Sequence, residues 1–199
     1  MKILKISFDK NFKKYMVETD EETFYVFEST FVKFNLYVGK ELDSKTCEQF
    51  EYYDKFHEAK TISFKFLKNS KTEFELRNKL KQSQLDDEII DETVKYIYSL
   101  DLLDDKDYAY RYAQDKSNFN RWGKNKIKYK LMEKGVPDTY IDSALETISS
   151  DNELKNILKD KEIKERSLKP DAKNRKAKIM NYLYRRGYSI SLINKVMDE

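Results

Sequence analysis

Apolar and polar residues alternate in three short runs near the start of the chain, within residues 1–40. The runs read KILKISF, YMVET and TFYVFES, and polar segments separate them. Alternation with a period of two places every second side chain on the same face, which is typical of a half-buried strand. The sequence therefore predicts a small three-stranded sheet. The segment STFVKFNLYVGKEL then predicts a short helix closed by Gly39, and a further helix begins at about Ser44.

The rest of the chain repeats one apolar pattern three times. Leu80, Leu131 and Leu183 are separated by 51 and 52 residues, and each has an apolar residue four positions earlier and another five positions later. A glycine follows the leucine by four positions in the second and third copies, where the first copy has Gln84. Such a period indicates a repeat architecture. The equivalent apolar positions are Leu76, Ile127 and Ile179; Leu85, Val136 and Tyr188; and Ile90, Ile141 and Ile193.

We interpret each copy as three helices, the second of which ends near the shared glycine position because glycine readily adopts a left-handed cap. One such unit buries little apolar surface alone, so neighbouring units must stack. The predicted fold is mainly α, with tandem three-helix repeats in an elongated curved array and a small β-containing segment at the N-terminus. The predicted domains are an N-terminal β/α extension at residues 1–58 and repeats at residues 59–103, 104–150 and 151–199.

The segment GKNKIKYKLMEKGV at residues 123–136 carries a lysine at every second place, an alternation that by itself predicts a strand. Comparison with the third repeat favours a helix, because both copies keep two core residues four positions apart and end in glycine. On a helical wheel the lysines flank the core side. Like charges at this spacing destabilise an isolated helix by about 0.2–0.5 kcal/mol per pair, an effect that an anionic partner would reverse. The two pairs are Lys124 with Lys128 and Lys126 with Lys130.

Charge is arranged in blocks, although the net charge is only +3. Residues 83–107 hold nine acids and two bases, whereas residues 116–134 hold seven bases and one acid; residues 173–186 are also basic. This distribution predicts a surface that binds an anionic partner, and the alternative is a solvated face that only confers solubility. The predicted binding residues are Arg121, Trp122, Lys124, Lys126, Lys128, Lys130, Lys134, Arg175, Lys176, Lys178, Arg185 and Arg186.

Catalytic and metal-binding chemistry has little support in the sequence. One cysteine, Cys47, and one histidine, His57, cannot supply the four ligands of a structural zinc site or a recognisable catalytic triad. Asp104 and Asp105 form a carboxylate pair, which we interpret as the start of a helix, where acids accept hydrogen bonds from free backbone N–H groups. We predict no catalytic residue, no cofactor and no metal.

The compartment follows from two further observations. A single cysteine excludes an internal disulfide framework and fits a reducing cytosol. No run approaches the roughly 20 apolar residues that a membrane span needs, and the first residues lack the apolar region of a signal peptide. We therefore predict a cytoplasmic protein with no membrane partner.

At this point the motifs resemble a known family. The runs LDLLDDKDYAYRYAQD and GKNKIKYKLMEKGV, preceded by SKTEFELRNKLKQ, resemble the RecX family of bacterial regulators of the RecA recombinase. The resemblance covers residues from about 59 to 199, and the extension at residues 1–58 looks like that of RecX proteins from Gram-positive bacteria. Members commonly have glycine where this chain has Gln84 or Asp101. The matching residues are Asp104, Asp105, Ala109, Tyr112, Gly123, Ile127, Leu131, Lys134 and Gly135.

The resemblance implies a non-enzymatic regulator that binds the RecA filament on single-stranded DNA. Such a protein modulates ATP hydrolysis and strand exchange by RecA and limits recombination and the SOS response. We expect a monomer without cofactors, whose basic helices contact DNA phosphates independently of sequence. The alternative is a stand-alone, sequence-independent nucleic-acid-binding helical module that acts without RecA.

Overall fold

The computed structural model describes residues 1–170 and 173–198. Residues 171, 172 and 199, which belong to the predicted third repeat, lie outside the described residues. Within the described part, three strands precede ten helices. The strands are β1 (Ile3–Asp9), β2 (Lys14–Thr19) and β3 (Thr23–Val26). The helices are α1 (Glu28–Lys33), α2 (Ser44–Phe66), α3 (Glu73–Lys81), α4 (Asp87–Ser99), α5 (Asp105–Asn118), α6 (Lys124–Glu133), α7 (Asp138–Glu146), α8 (Ser150–Arg166), α9 (Arg175–Arg186) and α10 (Ile190–Asp198).

Two compact units divide the chain, and each is described by itself. Unit 1 comprises Met1–Asn69 and Leu76–Leu102, and unit 2 comprises Ser70–Glu75 and Leu103–Glu199. The predicted boundary at residue 58 falls inside α2, which continues to Phe66. The division into one extension and three repeats at the boundaries given above stays a prediction.

Unit 1 begins with the predicted sheet, whose strands are antiparallel in the order β1-β2-β3. Its inner face packs on α2, where the ring of Phe50 stacks on that of Phe24 with centroids 5.0 Å apart. The Asp54 carboxylate, also on α2, accepts hydrogen bonds from the Phe27 backbone N–H at 2.7 Å and the Thr30 hydroxyl at 2.6 Å. Since Phe27 has no side-chain acceptor of its own, Asp54 provides the polar cap at the start of α1.

The first predicted helix is shorter than expected, and the prediction that Gly39 closes it is wrong. Helix α1 ends at Lys33, because Asn35 adopts a left-handed φ of +45° and the N–H of Leu36 bonds back to the Phe31 carbonyl at 3.2 Å. Asparagine tolerates this conformation better than most other non-glycine residues, so it takes the capping role here. The next helix begins at Ser44, as predicted.

The three-helix repeats are confirmed. The backbone φ angle just after the second helix of each repeat explains where glycine occurs. After the second helix of the three repeats, φ is +57° at Gln84, +70° at Gly135 and +94° at Gly187. Asp101, the other position where the family commonly has glycine, has a φ of +54°. Glycine adopts a left-handed backbone without strain, and aspartate tolerates it better than most other residues, so the strain falls mainly on Gln84. The repeat core residues Leu76, Leu80, Ile127, Leu131, Ile179 and Leu183 are at most 2% exposed.

Replacing Gln84 by glycine should raise the free energy of unfolding by about 0.5 kcal/mol. The substitution relieves a left-handed side-chain strain of about 1–2 kcal/mol, and the greater freedom of glycine in the unfolded chain offsets about 0.4–1 kcal/mol of that gain. The opposite change, Gly135→Ala, should destabilise the fold, because a Cβ there would lie 2.4 Å from Cβ of Phe74. Urea denaturation followed by circular dichroism measures both, and a destabilised Gln84→Gly variant would contradict the argument.

Candidate nucleic-acid interface

The two basic helices of unit 2 meet end to end. The Gly123 N–H, at the start of α6, donates to the Arg186 carbonyl at 2.9 Å, and the Asn125 N–H donates to the Gly187 carbonyl at 3.1 Å. Free N–H groups at one helix start are thereby satisfied by free carbonyls at another helix end. The approach needs two glycines: a Cβ on Gly123 would lie 2.4 Å from the Gly187 carbonyl carbon, and one on Gly187 would lie 2.3 Å from Cβ of Lys126.

A fully buried carboxylate, Asp160 on α8, lies beside this contact and is 0% exposed. Nε of Arg121 donates to Asp160 Oδ1 at 2.9 Å, and Nε of Arg186 donates to Asp160 Oδ2 at 2.7 Å. The Tyr188 hydroxyl lies 3.1 Å from Oδ2 and 2.7 Å from the Arg121 carbonyl oxygen. Burial, together with the adjacent Asp160 charge, raises the pKa of Tyr188, so this hydroxyl stays protonated. Two of the predicted binding residues therefore compensate a buried charge.

Further cations surround Trp122 at the same place. Nζ of Lys126 lies 4.4 Å from the centre of the Trp122 ring, and Nζ of Lys116 lies 5.5 Å from it. Burial, and secondly the positive charge of Arg186, lowers the pKa of Lys126. This ammonium thus lies in a positive electrostatic environment, which an incoming anion would relieve. We call the residues Lys116, Arg121, Trp122, Lys126 and Arg186 the basic junction.

Four other predicted lysines form ion pairs inside the protein. Lys128 pairs with Asp142 at 2.9 Å, Lys130 with Glu133 at 2.6 Å, Lys134 with Glu75 at 2.7 Å and Lys176 with Asp198 at 3.2 Å. The basic block at residues 116–134 is consequently less one-sided in the fold than along the sequence. The pairs of Lys128, Lys130 and Lys176 are exposed, and such pairs contribute only about 0–1 kcal/mol each, so an anion can compete for these three lysines. The pair of Lys134 with Glu75 is partly buried.

The remaining predicted cations differ in their exposure to solvent. Arg175 is half-buried, and its Nη2 donates to the Glu165 carbonyl at 2.8 Å. Lys178 and Arg185 on α9 are exposed, whereas Lys124 is half-buried. In the chain outside residues 171, 172 and 199, none of these last three side chains forms an ion pair with an acid. Like Lys126, they can bind an anion without first losing an acidic partner among the described residues.

Two residues of this surface, Lys116 and Phe119, are not among the predicted binding residues. Lys116 was counted in the basic block but not assigned to the site, and only the contact with Trp122 shows that it belongs there. Phe119, at the end of α5, is 79% exposed. Its position just before Arg121 was the available signal. Tyr108 and Tyr112, in contrast, pack against the core of the second repeat.

The acid pair at the start of α5 is structural, as predicted. Asp104 accepts a hydrogen bond from the Asp107 N–H at 2.8 Å and so caps its own helix. Asp105 is buried and accepts from the Glu73 N–H at 3.0 Å, at the start of α3. Burial raises the pKa of Asp105. Each carboxylate thus satisfies a backbone donor at a helix start.

The single histidine, His57, lies on α2 in unit 1. Its Nδ1 is 2.9 Å from the Ser29 hydroxyl, and burial, followed by the charge of Lys60, lowers its pKa. Over residues 1–170 and 173–198, no three His, Cys, Asp or Glu side chains are grouped so that they could hold a metal ion. No described helix is sufficiently long and apolar to cross a lipid bilayer.

Comparison with known proteins gives the family. Profiles of two domains match this chain: the second three-helix domain of RecX matches residues 104–145, and the third matches residues 157–197. Regulatory protein RecX of Clostridium acetobutylicum is 32% identical over 167 residues, which cover 81% of this chain and 77% of that protein. Regulatory protein RecX of Finegoldia magna is 30% identical, with 98% of each chain covered. The chain belongs to the RecX family of regulatory proteins.

A solved structure supports the family fold over the whole length. A crystal structure of regulatory protein RecX superposes with a TM-score of 0.76 at 27% identity and covers 100% of this chain and 99% of that chain. The RecX profiles also place the basic junction: its residues Lys116 to Lys126 belong to the second RecX domain, and Arg186 belongs to the third. The end-to-end contact of α9 and α6 is therefore a contact between two RecX domains.

Removing the buried charge should destabilise unit 2 strongly. Asp160→Asn leaves two arginines without their counter-charge, and breaking a buried ion pair in this way costs about 3–5 kcal/mol. Tyr188→Phe should cost about 1 kcal/mol, because one hydrogen bond is lost and the arginines remain. Trp122 is the only tryptophan and lies beside the site, so its fluorescence during urea denaturation reports the unfolding.

The matched control is Asp142→Asn, which removes the exposed partner of Lys128. It should change the free energy of unfolding by less than about 1 kcal/mol. Equal losses for Asp160→Asn and Asp142→Asn would show that the buried ion pairs do not stabilise this contact.

Lowering the pH should weaken the fold through His57. Its pKa is lower in the folded protein than the unfolded value of about 6.5, so the unfolded chain binds more protons below that pH. Stability is then lost as the pH falls below about 6.5. Unfolding free energies at about pH 7.5 and 5.5 measure the loss, and His57→Gln should reduce the difference between them. An unchanged pH dependence in that variant would assign the effect to other groups.

Proposed function

We propose that this chain binds the RecA filament on single-stranded DNA and thereby modulates ATP hydrolysis and strand exchange by RecA, without enzymatic activity of its own and in the cytoplasm. Membership of a family of regulatory proteins supports a regulatory role. The observation that carries the proposal is the convergence of cations at the basic junction, where two RecX domains bring their basic helices together.

The charge balance at the basic junction favours a phosphate ligand. Lys116, Lys126, Arg121 and Arg186 contribute four positive charges. Among residues 1–170 and 173–198, the one carboxylate that forms ion pairs with them is that of Asp160. Both oxygens of that carboxylate are already occupied by arginine Nε groups. Nη2 of Arg186 donates to the backbone carbonyls of Asn120 and Arg121. The Nη groups of Arg121 and the Lys126 ammonium can donate to phosphate oxygens. Such contacts do not depend on base sequence.

Aromatic side chains beside the cations suit an unpaired strand. Trp122 is half-buried between two ammonium groups, and Phe119 is largely exposed a short distance along the chain. Bases of single-stranded DNA stack on aromatic side chains while lysines and arginines follow the backbone. Unpaired bases in the filament would provide that partner, whereas bases stacked in a duplex would not.

The test removes the cations that have no internal acidic partner. In the variant Lys124→Gln, Lys126→Gln, Lys178→Gln and Arg185→Gln no ion pair among the described residues is lost, so the fold should be retained. Each lost phosphate contact on a single strand lowers the slope of log affinity against log salt by about 0.7, so the slope should fall by up to about 3. Binding to RecA–oligo(dT) filaments is measured at several salt concentrations, together with the ATP hydrolysis rate of RecA.

The matched control carries the same charge change in unit 1, at Lys10, Lys45, Lys65 and Lys68, all of which are exposed. This variant should keep the wild-type salt slope and the wild-type effect on RecA. Equal behaviour of the two variants would remove α6 and α9 from the interface. If the wild-type protein leaves RecA hydrolysis and strand exchange unchanged but binds single-stranded DNA with a steep salt dependence, the stand-alone nucleic-acid-binding module is correct instead.

A further inference from the structure

Unit 2 also contains a cleft whose charge is opposite to that of the basic junction. It lies between α5 and α7, has a volume of about 400 Å³, and its walls include the rings of Tyr110 and Tyr140. The two tyrosines are 48% and 38% exposed. Near the start of α5 the cleft is lined by Asp104 and Asp107. Lys106 is the one cation of the lining. The cleft is thus aromatic and carries a net negative charge.

Neither tyrosine ring of this cleft has a cation over it within residues 1–170 and 173–198, although cation–π contacts are frequent elsewhere in this chain. Asp107 forms one ion pair, with Arg111 at 2.6 Å, and remains 49% exposed. A carboxylate accepts several hydrogen bonds, so Asp107 can take another donor. The faces of two tyrosines and a part-free carboxylate together form a site for a positive charge.

An analogous cleft in unit 1 shows what this chemistry accepts. The cleft formed by α1, α2 and α4 is lined by Tyr52, Tyr53 and Phe56 and by the carboxylates of Glu48 and Glu92. There the chain provides its own cation: Nζ of Lys33 lies 3.7 Å from the centre of the Tyr53 ring. Both clefts combine aromatic rings with carboxylates. In the α5–α7 cleft the position over the rings is open.

We propose that the α5–α7 cleft binds an arginine side chain of a partner protein. A guanidinium is planar, so it can stack on a tyrosine ring while its N–H groups donate to the Asp107 carboxylate. A lysine ammonium would satisfy the charge but not the stacking. A DNA strand fits less well, because its phosphates would meet Asp104 and Asp107. The existence of a protein partner rests on the proposed function, and the arginine site itself can be tested without that partner.

The first experiment uses the full chain and a short probe peptide, acetyl-Gly-Arg-Gly-amide. Two-dimensional NMR with labelled tyrosine follows the ring signals, which are assigned with Tyr110→Phe and Tyr140→Phe. The peptide should shift the Tyr110 and Tyr140 signals. Replacing its arginine by citrulline, which has the same shape without the charge, should weaken binding at least tenfold. Asp107→Asn and Tyr140→Ala should each weaken it at least fivefold, whereas Tyr37→Ala, an exposed tyrosine in unit 1, should not.

Several outcomes of this experiment would contradict an arginine site in the α5–α7 cleft. Equal binding of the citrulline and arginine peptides, or no shift of either tyrosine, would overturn the proposal. Shifts caused by oligo(dT) and not by the peptide would assign the cleft to nucleobases, and shifts that vanish on dilution without peptide would assign it to a second copy of the chain; both overturn it as well.

The second experiment measures wild-type and Asp107→Asn protein on RecA–oligo(dT) filaments and on oligo(dT) alone. The variant should lose affinity at least fivefold for the filament and keep its affinity for oligo(dT). A wild-type protein that binds the arginine peptide but not the filament would reject the proposed function and leave the arginine site intact. Equal filament affinity of variant and wild type would overturn the use of this cleft for that partner.

Discussion

The Asp160 carboxylate has no contact with solvent, and burying an ionised group without compensation would cost several kcal/mol. Compensation comes from Arg121, which follows α5, and from Arg186, at the end of α9. Both guanidinium groups can reach one carboxylate only if the end of α9 lies against the start of α6. Gly123 and Gly187 permit that approach, since a Cβ on either would collide with the opposite chain segment. The buried charge of Asp160 and the small size of the two glycines therefore favour the same packing of α9 against α6.

This arrangement has a consequence for the surface above it. The two arginines remain partly exposed after they have compensated Asp160. Burial, and secondly the charge of Arg186, lowers the pKa of Lys126 nearby. An isolated lysine-rich helix would gain nothing from such crowding. The cations are thus held together by a buried acid, and an external anion meets a site that is already organised.

Unit 2 also presents the opposite chemistry. Its α6 and α9 helices carry the cations, whereas the cleft between α5 and α7 combines tyrosines with carboxylates. A regulator that contacts both components of a nucleoprotein filament needs a surface for phosphates and a different surface for protein side chains. The proposed regulatory role would use α6 and α9 for phosphates and the α5–α7 cleft for protein side chains.

Most of the local structure could be predicted from the sequence; the end of α1 could not. The alternation of residues 1–40 predicted the sheet, and the comparison of three repeats revealed α6 as a helix despite its alternating lysines; the positive φ at Gln84, Gly135 and Gly187 confirms the alignment. These features depend on the spacing of apolar residues and on backbone sterics, both of which are set by residues close together in the chain. The basic residues were recognisable for the same reason, as a block along the chain.

The contacts of those basic residues could not be predicted from the sequence. Arg121 and Asp160 are separated by 39 residues and Lys134 and Glu75 by 59, so no local pattern indicates that one acid occupies two arginines or that some lysines are paired and others free. Asn35, and not Gly39, ends α1, because the return of the chain toward β1 sets where the helix stops. Ion pairing and close helix approach depend on distances in space, and those distances arise from packing the repeats together.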